Sequence, residues 1–184
     1  MDDDNYLVPD RECGGCMVCC IEPAIHDPAL EKPAGVTCPN CVASSCAIYA
    51  ARPQVCRDYF CMWRRLPFLD AEWRPDLSGV LIAEAADASG TPNNFAVELI
   101  VTAPHTVIES ERFAGLVAGF LASGTGTFLN IPGGPGQPAR RTRLQDWVLP
   151  AVEARDLAGV IAGIRGCYEA TVTAQFPPPE PGAA

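Results

Sequence analysis

Nine of the ten cysteines lie between Cys13 and Cys61, in a chain that carries only two histidines. They open as Cys13-x-x-Cys16-x-x-Cys19-Cys20 and close as Cys46-Ala-Ile-Tyr49-Ala-Ala-Arg52-Pro53-Gln-Val-Cys56-Arg57. Thiolate is the soft ligand that zinc and iron–sulfur clusters select, and each such site takes four donors. The residue types and their spacing therefore point to a metal held by sulfur.

The elements that carry these residues must bring them together. Two-residue gaps let two sulfurs reach one ion, and Gly14 and Gly15 supply the backbone freedom of a tight turn there while opposing a helix. Adjacent side chains diverge, so one of Cys19 and Cys20 serves a different ion or bridges. Pro53 suits the start of a helix, which puts Cys56 in its first turn, where the helix dipole favours thiolate. If that helix continues, Cys56, Phe60 and Trp63 share a face and Cys61 points away, so either the helix breaks early or the two sulfurs feed different sites, and two sites are favoured. A zinc ion with four thiolates is a net dianion and needs cations nearby. Arg11, Arg52, Arg57, Arg64 and Arg65 flank the run. Arg52 and Arg57 are the expected counter-charges, and Arg64 and Arg65 read as surface charge. Trp63 and Trp73 are expected to shield the metal from water.

The pattern Cys13-x-x-Cys16-x-x-Cys19-Cys20, then Cys38, then Cys46-x-Ile-Tyr49-x-x-Arg52-Pro53-x-x-Cys56-Arg57-x-Tyr59-x-Cys61 resembles the YkgJ-type cysteine-cluster family. Those proteins are described as zinc- or iron-chelating domains. The likeness covers about the first 65 residues, and the non-cysteine letters agree along with the spacing. Leu66-Pro67, Arg74-Pro75-Asp76 and Gly79-Val-Leu are similar to longer members. The resemblance implies Cys13, Cys16, Cys19, Cys20, Cys38, Cys46, Cys56 and Cys61 as the ligand set, with Tyr49, Arg52 and Arg57 beside the bound group. It implies no reaction. Cys41 departs from the family pattern, where an apolar residue is common; Cys38-Pro-Asn-Cys41 resembles a zinc knuckle, so Cys41 is a further candidate ligand.

Competing readings carry less weight. Disulfides are disfavoured by the odd spacing, the adjacent cysteines and the acidic start, which lacks the order of a signal peptide. Cys167, among apolar residues of a helix, reads as a core side chain. His26 reads as a loop residue, with a role beside the metal as its alternative, and His105 is assigned none. Gly124-Thr-Gly126-Thr echoes a phosphate loop without its lysine and reads as a plain connection. Two histidines and no local signature leave no catalytic set to assemble.

Length, charge and patterning bound the rest. The 184 residues make about one domain, and 48% hydrophobic content suffices for a core. Thirteen basic residues against 22 acidic give a net charge of −9, which argues against nucleic acid and anionic membranes. No apolar run approaches a membrane span. Residues 11–75 are expected to form a metal-organised region and 76–175 an α+β region, with flexible ends at 1–10 and 176–184. In the second region, runs from Gly79 and from Phe95 read as strands around a Ser89–Asn94 loop, and Thr127–Ile131 as a third. One helix is expected to carry Phe113, Leu116, Val117, Phe120 and Leu121, stopped by Gly124. Another spans Leu149–Glu169, and Arg140-Arg141-Thr-Arg143 reads as a solvated loop edge.

The fold class expected is α+β: a small cysteine-rich region packed on a small sheet with two helices. The function expected is a cytoplasmic metal-binding protein with two thiolate zinc sites, acting as a binding or accessory module for another protein. The alternatives are a redox protein carrying a 4Fe-4S cluster or iron, and a metal-dependent enzyme or protein-modification accessory.

Overall fold

The computed structural model describes residues 7–85 and 95–174. The fold is mixed α+β, as expected. The Ser89–Asn94 loop, the first six residues and the tail from 175 lie outside the described residues.

The cysteine-rich half is built from short pieces: α1 (Val18–Ile21), hairpin β1 (Ile25–Asp27) and β2 (Leu30–Lys32), hairpin β3 (Cys41–Val42) and β4 (Ser45–Cys46), then α2 (Gln54–Asp58), α3 (Met62–Arg65) and α4 (Pro75–Ser78). None of these helices exceeds five residues, too short to stand without tertiary support. Gly79 ends α4 in the left-handed conformation (φ 70°), and a Cβ there would lie 2.8 Å from that of Ala103, so glycine is required twice over.

The second half forms one four-stranded sheet in the order β5 (Val80–Glu84), β6 (Ala96–Val101), β7 (Gly126–Ile131), β8 (Arg140–Arg143). β5–β6 and β7–β8 are antiparallel, and β6–β7 is parallel. The parallel pair demands a crossover, supplied by α5 (Pro104–Val107) and α6 (Glu111–Ala122). Ser110 caps α6, accepting from the Phe113 N–H, and Phe113, Val117, Phe120 and Leu121 bury one stripe as their spacing predicts.

Two expectations fail here. Arg140–Arg143 is the fourth strand, not a loop edge: Arg141 pairs with Glu98 at 3.0 Å and lies 3.8 Å from the Phe128 ring centroid. Cross-strand partners recruit a charged segment that no hydrophobic alternation marks. The Leu149–Glu169 helix is two helices, α7 (Gln145–Glu153) and α8 (Leu157–Thr173). Arg155 turns left-handed (φ 55°) between them, and Asp156 caps α8 by accepting from the Gly159 N–H at 3.0 Å. The helices pack so closely that a Cβ at Gly163 would meet the Trp147 carbonyl oxygen at 2.7 Å.

Both faces of the sheet are covered, which explains why β5 reads as unbroken apolar sequence. Val80, Ile82, Val97, Leu99, Val101 and Leu129 pack in one cluster with α6, α7 and α8. Leu81, Ala83 and Ile100 on the other face meet Val18 and Cys61. The cysteine region is therefore the second layer of the sandwich, and Cys61 is anchored to the sheet.

Candidate metal centre

The nine N-terminal cysteines gather on that second face. The turn at Gly14 (φ 53°) folds Cys16 back so that its N–H donates to the Cys13 carbonyl at 2.9 Å. α1 carries Cys19 and Cys20, and the Cys38 N–H donates to the Cys20 carbonyl at 2.9 Å, drawing the middle of the chain onto α1. Cys41 donates its N–H to the Cys38 carbonyl at 2.9 Å, which makes Cys38-Pro-Asn-Cys41 a tight turn. It leads into the β3–β4 hairpin, where Cys41 and Cys46 stand directly opposite each other. The hairpin turn puts Ala43 and Ser44 at φ 47° and 63°, a conformation that costs a residue with a Cβ roughly 1–2 kcal/mol.

Pro53 caps α2 and Cys56 sits in its first turn, as expected. α2 stops at Asp58, with Tyr59 extended, so Cys61 starts α3 instead of continuing the same helix. Cys56 and Cys61 consequently reach different places. A cavity of about 20 Å³ is lined by Cys13, Cys16, Cys19 and Cys61, with Trp63 and Arg74. A second, of about 180 Å³, is lined by Cys20, Cys38, Cys41, Cys46 and Cys56, and also by Cys13, Cys16 and Cys19. Electrostatics group most of the thiols in the same way and link the two groups through Cys19 and Cys20. Burial pushes Cys61 up to about 11, and the neighbours that add to it are Cys13 and Cys16. Cys56 is raised by burial and then by Cys38, Cys20 and Cys46. The Cys19 thiol donates to Cys20, which raises Cys19 and lowers Cys20. All ten cysteines are free. Among the described residues no group of three or more His, Cys, Asp or Glu side chains is drawn tightly enough to hold an ion as it stands; the sulfurs ring cavities.

The donor chemistry fits a soft cation in each cavity. Four thiols line the smaller one and eight the larger, with Cys13, Cys16 and Cys19 shared, and each has a cation beside it. Arg64 Nη1 lies 3.8 Å from Cys13 Sγ, its Nε is buried without a partner, and the guanidinium lies 5.5 Å from the Phe60 ring centroid. The surface role expected for Arg64 is thus wrong, while Arg65 does pair on the surface with Glu84 at 2.8 Å. Arg52 stacks 4.2 Å over Tyr49 on the rim of the larger cavity and counters the rise of Cys56. That rise runs opposite to the thiolate expected at a helix start: burial outweighs a dipole that only five helical residues generate. Arg57 is exposed and donates to the Arg52 carbonyl at 2.9 Å. Arg11 lies 5.4 Å from the Trp63 ring centroid and donates to the carbonyls of Trp63, Leu66, Pro67 and Leu69, tying the start of the chain to the turn after α3.

Three residues at the centre escaped sequence reasoning. Lys32, only 1% exposed, donates to the carbonyls of Ile21, Pro33 and Val36 at 2.7, 3.0 and 2.9 Å, and Cys38 and Cys20 are the charges nearest it that oppose the depression burial causes. A fully satisfied buried ammonium beside thiolates is a built counter-charge. Its only sequence signal is a lysine between Leu30 and Pro33, inside the cysteine run. Asp76 is held low first by bidentate bonds from Arg74 at 2.7 and 2.9 Å, and it also accepts from Cys16. Tyr59 buries its hydroxyl without a partner; burial raises it first, then Cys19 and Cys61. Trp63 lines the smaller cavity as expected, whereas Trp73 belongs to the main core. His26 lies in β1, exposed, 3.8 Å from Glu31, and Cys167 is fully buried in the core.

No family model, curated protein or solved structure matches this chain. The likeness to the cysteine-cluster family rests on the residues quoted for it.

Proposed function

We propose that the chain is a metal-binding protein with two adjacent thiolate sites for zinc, one on Cys13, Cys16, Cys19 and Cys61, the other on Cys20, Cys38, Cys46 and Cys56, with Cys41 as a spare donor. The observation that carries this reading is the gathering of nine thiols around two adjoining cavities: Cys61 lines the smaller, Cys20, Cys38, Cys41, Cys46 and Cys56 line the larger, and Cys13, Cys16 and Cys19 line both. Arg64 and Arg74 beside the first set, and Lys32 and Arg52 beside the second, offset the negative charge that closed zinc–thiolate sites carry. Zinc with four thiolates is coordinatively closed, so its work is to fix the fold of residues 11–75, and the module serves as a binding or accessory unit for another protein. Among the described residues no helix is long and apolar enough to cross a membrane. We infer a cytoplasmic setting, because reducing conditions keep thiols available for metal.

One observation favours the iron–sulfur reading for the second site: its cavity of about 180 Å³ leaves more room than a single ion with bonds of about 2.3 Å needs. Anaerobic purification followed by a visible spectrum and a zinc and iron count decides between them. Colourless protein with about two zinc per chain (eight donors at four each) supports the proposal. Brown protein with stoichiometric iron overturns it. Cys61→Ser and Cys56→Ser should each lose one metal and keep the other; a joint loss in both variants would refute the division into two sites.

A further inference from the structure

The β3–β4 hairpin holds two cysteines face to face. Cys41 and Cys46 are cross-strand partners, and the left-handed turn at Ala43 and Ser44 (φ 47° and 63°) pins their register. The Ala47 N–H donates to the Asn40 carbonyl at 2.8 Å, so the next pair toward the turn, Cys41 and Cys46, is a non-hydrogen-bonded one. Such partners share a face with their Cα atoms about 4.5 Å apart, within the roughly 4.4–6.8 Å that a disulfide spans. Cys41 is also surplus. Cys20, Cys38, Cys46 and Cys56 already supply the four donors of the second site, and Cys41 donates its thiol to the Met17 thioether at 3.2 Å. Val42, Ala43, Ser44 and Ser45 are exposed, and both cysteines are partly exposed and line the larger cavity, so small solutes reach them.

We propose that Cys41 and Cys46 form a peroxide-driven redox switch: oxidation closes them into a disulfide across the hairpin and releases the metal of the second site. Such regulation rests on the two-site zinc reading. A ligand cysteine is a thiolate, the form that attacks peroxide. The Cys46 sulfur takes one oxygen as the O–O bond of hydrogen peroxide breaks, giving a sulfenic acid and hydroxide. The Cys41 sulfur then attacks the Cys46 sulfur; the S–S bond forms, the S–O bond breaks, and the departing hydroxide leaves as water with the Cys41 proton. One thiolate, one thiol and one peroxide become one disulfide, one water and one hydroxide, with two electrons passed from sulfur to oxygen. The second site then keeps only three thiolates of its closed set, which loosens the ion. In reducing conditions without peroxide the pair stays open, which leaves Cys46 free as a ligand. A dithiol reopens the bridge by exchange.

The test exposes the full, metal-loaded chain to hydrogen peroxide and follows zinc with a chromophoric chelator. Disulfides are mapped by mass spectrometry of unreduced elastase digests, cut between the two cysteines at Val42 or Ala43. The first disulfide should join Cys41 to Cys46 and grow in step with the loss of one zinc while the other stays bound. A dithiol with added zinc should reverse both changes. Cys41→Ser leaves Cys46 no thiol to close on across the hairpin, and the fraction of bound zinc released per minute should fall about tenfold or more. A first disulfide from Cys41 to any other cysteine, an oxidised protein with Cys46 unpaired, release of both metals together, or an unchanged rate in Cys41→Ser overturns the proposal. The map is read from sulfur alone. A chain without zinc that closes Cys41 on Cys46 sinks the zinc reading and keeps the pairing, whereas a zinc-loaded chain that closes another pair sinks the switch alone.

Discussion

The two faces of the central sheet are covered by layers made on different principles. On one side, α6, α7 and α8 bury Phe113, Val117, Leu144, Val148, Val160 and Ile164 to 5% exposure or less, with polar ties such as Thr171 to Thr142 beside the apolar packing. On the other side, the short pieces up to Cys61 meet the sheet through Val18 and Cys61 and surround sulfur-lined space, while Met62, Trp63, Leu69 and Trp73, further along the same region, pack into the first cluster. The first layer is specified by oil and needs nothing bound. The second has too few buried apolar side chains to offset the chain entropy of some fifty residues, which costs roughly 1–2 kcal/mol per residue for the backbone alone. A fold that concentrates its thiols where its hydrophobic contacts are thinnest is arranged for an external ligand to complete it.

Removing metal should break the comparison most sharply. Structural zinc in thiolate sites contributes roughly 10–16 kcal/mol of apparent binding free energy, and that energy is folding energy. Chelation is expected to abolish hydrogen-exchange protection across 13–61 while the amides of β6, β7, α6 and α8 stay protected. Uniform protection before and after chelation would show that the cysteine layer stands by its own packing.

The converse perturbation is a core truncation. Leu129→Ala at a fully buried position on β7 should cost about 2–5 kcal/mol. The expected result is a lower thermal midpoint for the whole chain with an unchanged metal count per folded molecule, because Leu129 belongs to the cluster built with α6, α7 and α8 and not to the one around Leu81, Ala83 and Ile100. Metal loss without a stability loss would mean the faces are not independent.

Lys32→Met sharpens the contrast within the cysteine layer. Methionine keeps the length of the side chain but leaves three carbonyls without their donor and removes the buried cation that interacts with both Cys38 and Cys20. Groups around the ligands are typically worth 10–100-fold in metal affinity, so competition with a chromophoric chelator should show one of two metals weakened by about that factor. The site on Cys13, Cys16, Cys19 and Cys61 should be unaffected.

How much of this was legible beforehand differs between the two layers for a physical reason. The stripe on α6 and the runs at β5, β6 and β7 follow periods that burial imposes on sequence, and they were readable residue by residue. The break at Arg155 was not, because a left-handed residue that is not glycine carries no compositional mark; Asp156 as a cap was the one available cue. In the cysteine layer the spacing marked the sulfurs that gather, while Cys19, expected to part from Cys20, donates to it and lines both cavities. The supporting charges were invisible: Lys32, Arg64 and Asp76 reach the thiols through turns that no periodicity encodes, and Arg57, which sequence proximity favoured, points elsewhere.

The tenth cysteine offers the finest comparison, since it is the same chemical group set in oil. Cys167 on α8 is fully buried, and burial pushes its thiol up to about 11 from an ordinary 9.0, with Thr171 partly opposing. A raised thiol favours its neutral form in the folded state, so its contribution to stability is fully present and constant below pH 9. Above that the unfolded chain loses the proton first, and stability falls as pH climbs from about 9 toward 11. At one unit per 1.36 kcal/mol, the loss at pH 10 is about 1.4 kcal/mol. Cys167→Ala should therefore flatten the alkaline decline of the metal-replete protein by about that amount between pH 8 and 10, measured by denaturant unfolding at each pH. Cys56→Ser, which removes a thiol of the other layer, should leave this part of the decline intact. An identical alkaline slope in wild type and Cys167→Ala would mean that the oil around α8 yields to ionisation, and that the helical layer is softer than its packing implies.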